Sequence, residues 1–345
     1  MNDRKLLLAG LLAALVVGEA GAVTYSFTTL DAPGARITLA ADINNSGQVT
    51  GYYLDASGRY RSFVESGGTF TTHNVAGFNN YAHGINDNGQ VTGWYEMQDP
   101  QDCWGGCGPD SSGFVESGAT VTTLHFPYIP GGSAPTALRG INDSGQVTGY
   151  YLNPLEDWRS HGFVASGGKF TTVDPPGAVN TAALGINDKG EVTGRYQDTS
   201  GRSHGFVQSG GAFTTIDVPG AFSTIANGIN NTGQVAGFYQ DAAGRSHGFV
   251  ESDGAFVTLD VPGALNPFYS TYPGTSAYGI NDRGQVAGYY SDALGTHGFI
   301  ASIAPPVPEP EEWAMILVGL GLVGFQVRRK HANNGNFRGS CRLAG

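Results

Sequence analysis

The chain has 345 residues, a formal net charge of −11 and 14% charged residues. The body of the chain, residues 23–306, is acidic and has no Lys/Arg patch, which argues against nucleic acid as a partner because phosphate neutralisation requires such a patch. The 54 glycines argue against a helical fold, since each glycine costs about 1 kcal/mol relative to alanine inside a helix. With 40% hydrophobic residues the chain can still bury a core, and its composition favours short strands joined by tight turns.

The N-terminal segment is typical of a cleaved secretory signal. The basic pair Arg4-Lys5 precedes an apolar run from Leu6 to Val17, and small residues follow up to Ala22. The apolar run is short for a membrane span. We therefore predict a signal peptide over residues 1–22, with an uncleaved N-terminal anchor as the alternative.

The central region is built from six copies of one sequence. Each copy contains the block Ile-Asn-x-x-Gly-x-Val-x-Gly, followed by aromatic residues and a Gly-Phe-Val or related stretch. The first five copies continue with Ser-Gly-Gly and Phe-Thr-Thr or close variants. The blocks begin at Ile43, Ile85, Ile141, Ile186, Ile229 and Ile280. Turn-forming Asn, Asp and Gly separate short apolar stretches, so each copy is predicted to contain four strands.

Four antiparallel strands in a period near 47 residues indicate one propeller blade per copy. The last copy stops at Ser302 without its fourth strand, whereas an extra fourth strand, residues 25–31, precedes the first copy. We therefore predict an all-β, six-bladed propeller over residues 23–306 that is closed by the N-terminal strand. An open β-solenoid is the alternative, and it would not need this complementary split.

The repeats resemble the HAF family of extracellular repeats. The likeness lies in the Gly-Ile-Asn-Asp-x-Gly-Gln-Val-x-Gly and His-Gly-Phe-Val stretches and covers nearly all of residues 24–302. It implies an exported protein, and it implies no particular activity.

The sequence contains no recognisable catalytic motif. It lacks a Gly-x-Ser-x-Gly elbow, a His-Glu-x-x-His zinc motif, a P-loop and a dinucleotide fingerprint, so we predict no catalytic residue and no cofactor. A carboxylate pair for glycoside hydrolysis remains an open alternative. Four histidines at one repeat position, which we expect to hydrogen-bond locally rather than bind metal, are His161, His204, His247 and His297.

Candidate ligand-binding residues lie where insertions break the period, because insertions map to loops and loops carry binding sites. The strand order predicts that these insertions share one face of the disc. The candidates are Trp104, Tyr128, Trp158, Phe268, Tyr269 and Tyr272, and their aromatic rings suit sugar rings. The alternative is that these aromatic side chains only pack over the ends of their blades and bind no ligand. Cys103 and Cys107 flank Trp104 and are candidates for a disulfide in an oxidising compartment.

The C-terminal segment, residues 307–330, resembles a PEP-CTERM sorting signal. An apolar run from Trp313 to Val327 would span about 22 Å as a helix, with basic residues directly after it. The residues that carry the resemblance are Pro308, Glu309, Pro310, Trp313, Arg328 and Arg329. In that family an exosortase processes the segment near the Pro-Glu-Pro triplet. Glu311, Glu312 and the further tail over 331–345 depart from the family pattern.

Together these features predict a non-enzymatic, exported protein of the cell surface or extracellular matrix in a Gram-negative bacterium. It would be held transiently in the inner membrane by its C-terminal helix and would bind polysaccharide or another surface component through one loop face. The alternatives are an extracellular glycan hydrolase or lyase, and a passive structural spacer.

Overall fold

The computed structural model describes residues 24–73, 75, 77–96, 111–127, 134–265 and 274–304. These residues form six four-stranded antiparallel sheets. The strands are β1 (Tyr25–Leu30), β2 (Thr38–Ile43), β3 (Val49–Leu54), β4 (Tyr60–Ser66), β5 (Thr69–His73), β6 (Asn79–Ile85), β7 (Val91–Glu96), β8 (Ser111–Ser117), β9 (Thr120–Leu124), β10 (Thr136–Ile141), β11 (Val147–Asn153), β12 (Arg159–Ser166), β13 (Lys169–Thr172), β14 (Asn180–Ile186), β15 (Val192–Gln197), β16 (Ser203–Ser209), β17 (Ala212–Ile216), β18 (Ser223–Ile229), β19 (Val235–Gln240), β20 (Ser246–Ser252), β21 (Ala255–Leu259), β22 (Thr275–Ile280), β23 (Val286–Ser291) and β24 (Thr296–Ile303).

The six sheets are the blades of a closed β-propeller. The first strand of each sheet contacts the first strands of both neighbouring sheets, and the series returns from β22 to β2. The first strands therefore surround a central axis. The predicted six-bladed propeller is confirmed, and the open solenoid is not the fold.

The N-terminal strand closes the ring. The last sheet has the order β1-β24-β23-β22, so its outermost strand comes from the start of the chain. Leu30 pairs with Gly298 and Tyr25 with Ile303 in an antiparallel register. Closure leaves no long unpaired strand edge at the junction of the two ends. This predicted feature is confirmed as well.

The core of each blade is built around one phenylalanine from the Gly-Phe-Val stretch. These six side chains, all fully buried, are Phe63, Phe114, Phe163, Phe206, Phe249 and Phe299. Each pairs with the glycine of the Val-x-Gly sequence on the adjacent strand, as Phe163 does with Gly149. A Cβ on Gly149 would lie 3.0 Å from the Phe163 ring, so glycine is needed for the ring to lie over the strand.

The two faces of the disc differ in their connections. The turn from the first strand to the second and the turn from the third to the fourth open on one face, here called the turn face. The loop from the second strand to the third and the link to the next blade open on the other, here called the loop face. Antiparallel pairing throughout each blade fixes this arrangement, as the sequence predicted.

At the turn face, the asparagine of each Ile-Asn block links its blade to the next. Each of these side chains donates through Nδ2 to the backbone carbonyl of the equivalent asparagine in the following blade, at 2.9–3.1 Å. The residues are Asn44, Asn86, Asn142, Asn187, Asn230 and Asn281. The six bonds form a closed circle of buried polar contacts, so the motif stabilises the ring as well as its own turn.

The predicted signal peptide over 1–22, the sorting segment over 307–330 and the tail over 331–345 lie outside the described residues. Among the residues that the structure describes, no helix is long and apolar enough to cross a membrane.

Candidate ligand-binding site at the loop face and the axis

Exposed apolar side chains concentrate on the loop face. Five of the seven large hydrophobic side chains that are exposed in the described residues lie in its loops and links. They are Leu155, Trp158, Phe222, Leu265 and Leu294, and the other two are Val121 and Ile303. The loop face therefore exposes more large apolar side chains than the turn face does, and exposed apolar surface is available for contact with a ligand.

Trp158 is held outward by a short, well-bonded loop between β11 and β12. A single 3-10 turn, Pro154–Glu156, starts at Asn153, whose side chain accepts a hydrogen bond from the Leu155 amide at 3.1 Å. Trp158 has φ of 61° and is 54% exposed, and its amide donates to the Asn153 carbonyl at 3.0 Å. A tryptophan in left-handed backbone costs conformational energy, and such strain occurs more often at functional sites.

Trp158 is the one predicted ligand-binding residue within the described part of the chain. The other predicted residues, Trp104, Tyr128, Phe268, Tyr269 and Tyr272, lie outside it, as do Cys103 and Cys107. Among the described strands, β7 ends and β8 begins at the loop face. The prediction for these residues therefore stays a prediction.

The propeller axis contains a cavity of about 60 Å³ that all six blades line. Each blade contributes to its wall the residue two positions before the Ile-Asn block, and these six residues are here called the axial column. The axial column consists of Ala41, His83, Arg139, Leu184, Asn227 and Tyr278. This cavity is here called the axial pocket. Its backbone repeats six times around the axis, but each blade contributes a different side chain, so the pocket is chemically asymmetric.

Arg139 is the dominant charge in the axial pocket. Its Nη1 atom lies 3.0 and 2.8 Å from the two ring nitrogens of His83, and its Nη2 donates to the Tyr150 hydroxyl at 3.4 Å. Burial, together with the Arg139 charge, holds the pKa of His83 well below its usual range, so this imidazole is neutral. The guanidinium therefore contacts a neutral imidazole and a phenol hydroxyl, and neither of these groups is a carboxylate.

A second ring of side chains lies on the loop side of the axial pocket. It comes from the residue after each Val-x-Gly sequence and is here called the second-strand column. Its members are Tyr52, Trp94, Tyr150, Arg195, Phe238 and Tyr289. Each pairs with the residue two positions before the axial column, as Tyr150 does with Ala137. Because the first strands run from the loop face to the turn face, these side chains lie nearer the loop face.

The second-strand column supplies flat aromatic surfaces and one more cation. Trp94 stacks on Tyr81 with ring centroids 4.1 Å apart, and Tyr52 meets both Tyr81 and His83 edge to face. Arg195 is exposed, so solvent reaches this level of the channel. Although Arg195 is exposed at its surface, the surrounding protein atoms partly desolvate it, and this desolvation together with the nearby Arg139 charge lowers its pKa. The two arginines are therefore close enough to repel each other.

Asp42 occupies the position where the other five repeats have glycine before Ile-Asn. At the other five positions a side chain would be crowded, because the first strands converge at the axis. A Cβ on Gly140, for example, would lie 2.9 Å from the Leu184 carbonyl oxygen and 3.1 Å from Gly185 Cα. The Asp42 carboxyl accepts from the Ile43 and Ile85 amides at 2.9 and 3.0 Å. Burial raises its pKa to about 7, despite these two hydrogen bonds.

The repeated histidines act within their own blades. His161, His204 and His247 each place Nδ1 2.7–2.9 Å from the carboxylate of an aspartate 13 residues later, and His297 does so with Asp31. Their Nε2 atoms face a second carboxylate in the adjacent loop at 3.2–3.5 Å. The prediction that they bond locally is confirmed.

The turn-face mouth of the axis carries four aspartates and two asparagines, one from each blade. They are Asn45, Asp87, Asp143, Asp188, Asn231 and Asp282. Each side chain accepts a hydrogen bond from the backbone amide of the preceding blade at 2.7–2.9 Å, so they form another closed circle. Across the described ranges, no group of three or more His, Cys, Asp or Glu residues is arranged to hold a metal ion.

The axial residues were not identified from the sequence, although a signal was present. The axial column differs in every copy, while the Ile-Asn block beside it is retained in all six. A position that varies among otherwise near-identical repeats is not needed for the common fold. Its side chain can therefore serve a function that is specific to one blade. Alignment of the six copies would have picked out both Arg139 and the Asp42 exception.

Comparison with protein-family models found no match, and no curated protein matches the chain. Among solved structures, the chain is similar to an Aleuria aurantia lectin in complex with Fucα1-6GlcNAc, with 15% identity, a TM-score of 0.48 and coverage of 79% of this chain and 97% of that one. It is also similar to AofleA from Arthrobotrys oligospora, with 13% identity, a TM-score of 0.48 and coverage of 85% and 96%. A third is the Trypanosoma rangeli sialidase, with 9% identity, a TM-score of 0.43 and coverage of 90% and 59%.

Proposed function

We propose that this protein is an exported, non-enzymatic carbohydrate-binding propeller that holds a glycan at its loop face. The observation that carries the proposal is the concentration of exposed apolar side chains on that face, at the end of the axis where the aromatic second-strand column lies. Sugar rings combine apolar faces with hydroxyl edges, so they fit exposed aromatic rings set among polar groups.

The two faces of the propeller differ in the way a binding role requires. The turn face consists of tight turns whose polar groups bond to one another around the ring. The loop face instead exposes side chains such as Trp158 and Phe222, at 54% and 66%. Their exposure costs free energy in water, about 25 cal/mol per Å² of apolar surface, which a bound ligand would recover.

Glycan binding is tested with an array of immobilised neutral and acidic oligosaccharides. We expect the double variant Trp158→Ala, Phe222→Ala to bind about tenfold more weakly, with an unchanged melting temperature because both side chains are exposed. The matched control is Val121→Ala, which removes an exposed apolar side chain from β9, away from the loop face. The proposal would be refuted if the double variant bound the immobilised oligosaccharides as tightly as the native protein does, or if the native protein bound none of them.

The proposal includes sorting to the cell surface or matrix by an exosortase-type enzyme, after transient anchoring by residues 307–330. It is supported by the sequence of the two terminal segments alone. We expect a native chain that begins near Val23 and ends near Pro308, as measured by intact mass after fractionation of host cells. A chain that keeps residues 309–345 in the inner membrane would contradict sorting and leave an anchored propeller. A variant truncated before Val307 is the control.

A lyase is the second candidate, because the phenol of Tyr150, which lies beside the axial pocket and contacts Arg139, has a lowered pKa. The Arg139 charge lowers the pKa of Tyr150, against the raising effect of burial. A tyrosine so placed can act as a general base toward a sugar whose carboxylate the arginine neutralises. Of the carboxylates in the described residues, Asp42 alone lines the axial pocket, so two-carboxylate hydrolysis has no pair there. Release of unsaturated sugars by the native protein, but not by Tyr150→Phe, would establish the lyase.

A further inference from the structure

The axial pocket holds positive charge that the protein itself does not neutralise. Within the described residues, arginine forms ion pairs at Arg61, Arg202 and Arg245, whereas neither Arg139 nor Arg195 has a carboxylate within 4.0 Å. The Nε atom of Arg139 is buried and has no hydrogen-bond partner among the atoms described. A buried polar group of a charged side chain is normally paired, so the unpartnered Nε of Arg139 requires an explanation, and the exposed Arg195 adds a second cation beside it.

The nearest carboxyl group does not provide one. Asp42 lines the same pocket, but its oxygens accept from the Ile43 and Ile85 amides rather than from Arg139. The neutral imidazole of His83 leaves the guanidinium charge intact. Two arginines thus stand together on the axis, inside a protein whose formal net charge is −11.

The fold has no need of an arginine at this position. In the axial column, blade 4 carries Leu184 and blade 5 carries Asn227, and the backbone around them follows the same register. An uncharged side chain therefore fits the position. An unpaired buried cation is costly to keep, and a bound anion is what would offset that cost.

The pocket has room for a small planar anion but not for a whole sugar. Its volume of about 60 Å³ compares with about 150 Å³ for a cavity that admits benzene. Above it, toward the loop face, lie the aromatic rings of the second-strand column, including Trp94 stacked on Tyr81. An anionic group attached to a sugar ring would enter the pocket, and the ring itself would lie among the aromatic side chains.

From this geometry we infer that the axial pocket binds the carboxylate of an acidic sugar, a uronate, through Arg139 and Arg195. The inference rests on the proposed glycan-binding function and names the class of glycan. Guanidinium groups match carboxylates in planar, two-point hydrogen bonding, and the two arginines flank the channel at successive levels. The apolar and aromatic loop face supplies the contacts to the rest of the sugar chain.

The experiment measures, by calorimetry on the full chain, the affinity for tetragalacturonate, for its carboxyl-reduced neutral analogue and for a sulfated form of that analogue. We expect the uronate to bind about 10- to 100-fold more tightly than the neutral analogue. Arg139→Gln and Arg195→Gln should each lower uronate affinity toward the neutral level. Arg139→Lys should recover only part of it, since lysine keeps the charge without the planar fork.

Two controls separate binding from folding. Arg139→Leu reproduces the residue of blade 4 at the same position and should keep the melting temperature while losing uronate affinity. Arg283→Gln makes the same change of charge on the exposed turn face and should leave affinity unchanged.

The outcomes distinguish this inference from the proposed function. Equal affinity for the uronate and the neutral analogue, unaltered by Arg139→Gln, would overturn the inference and leave glycan binding intact. Binding of none of the three oligosaccharides would overturn both. Equally tight binding of the sulfated form would overturn the assignment to a carboxylate.

Discussion

Nδ1 of His297 lies 2.9 Å from Oδ1 of Asp31, a residue 266 positions earlier in the chain. The same contact joins His204 to Asp217 within one continuous hairpin, 13 residues apart. The last blade therefore makes, between the two ends of the propeller, the contact that blades 3, 4 and 5 make between residues close in sequence. Its histidine and aspartate meet only when β1 pairs with β24.

We expect Asp31→Ala to destabilise the propeller by about 0.5–1 kcal/mol, since the contact is a partly exposed, charge-assisted hydrogen bond. Removal of residues 24–30 should be far more damaging because it takes away a whole strand and reopens the sheet edge. Denaturant unfolding checks both. The control is Asp260→Ala, which removes the equivalent contact inside blade 5. A strand deletion as mild as the single substitution would show that closure contributes little.

The asparagine circle predicts a large cost for Asn187→Ala. Its side chain donates to the Asn230 carbonyl and to Glu191, and accepts from the Lys189 and Glu191 amides. Because Asn187 is 4% exposed, the partners left behind are unsatisfied and the expected loss is about 2–4 kcal/mol.

The control for Asn187 is the next residue, Asp188, which is exposed and bonds to the amide of Asp143 and the side chain of Asn231. We expect Asp188→Ala to cost less than about 1 kcal/mol, because water replaces these bonds. Equal losses in the two variants, measured by urea unfolding, would refute the special role of the buried circle.

We expect His204 to stabilise the folded state by an amount that depends on pH. Burial lowers its pKa, but hydrogen bonds to Asp217 and Asp198 outweigh burial and the net shift is upward. A raised pKa in the folded state means that the protonated form stabilises folding. The contribution is therefore full below the unfolded pKa of about 6.5 and is lost as pH rises through the folded value.

The measurement for His204 is the free energy of unfolding of the native protein and of His204→Gln across neutral pH, with an NMR titration of the ring. We expect the stability difference between the two proteins to shrink as pH increases. A difference that grows with pH would contradict the assignment.

Because of Asp42, we expect the free energy of unfolding to depend on pH over a different range and for a different reason. Burial raises its pKa from 3.8 to about 7, so the folded state holds the proton more tightly than the unfolded state. Stability then falls as pH rises from about 4 to about 7 and levels off above, with a total change of at most about 4 kcal/mol. Asp42→Asn keeps an oxygen acceptor for the Ile85 amide and cannot ionise.

We therefore expect Asp42→Asn to match the native protein at about pH 4 and to be more stable above about pH 7. Thermal unfolding at several pH values tests this. Asp188→Asn, on the exposed turn face, is the control for a general charge effect. Identical pH profiles for the native protein and Asp42→Asn would show that the carboxyl is ionised at no cost.

The sequence determined the propeller because each part of the repeat has a local cause. Asn, Asp and Gly fix the turns, alternating apolar residues fix the strands, and the missing fourth strand after Ser302 matches the extra strand at Tyr25. Only one of the two roles of Asn187 could be predicted from the sequence. Its turn could be predicted from neighbouring residues, whereas its bond to Asn230 depends on how closely two blades approach.

The candidate site depended on ring closure. His83, Arg139 and Tyr278 come from three different repeats, and no local pattern places them around one cavity. Sequence reasoning favoured insertion loops, of which the described residues contain Trp158, and it overlooked the axis. The reason is physical: turns and strands follow from short-range sterics and hydrogen bonding, whereas an axial pocket exists only when six blades bring equivalent positions together. The sequence by itself set the number, kind and closure of the blades, and the tertiary structure alone decided which side chains share the axis.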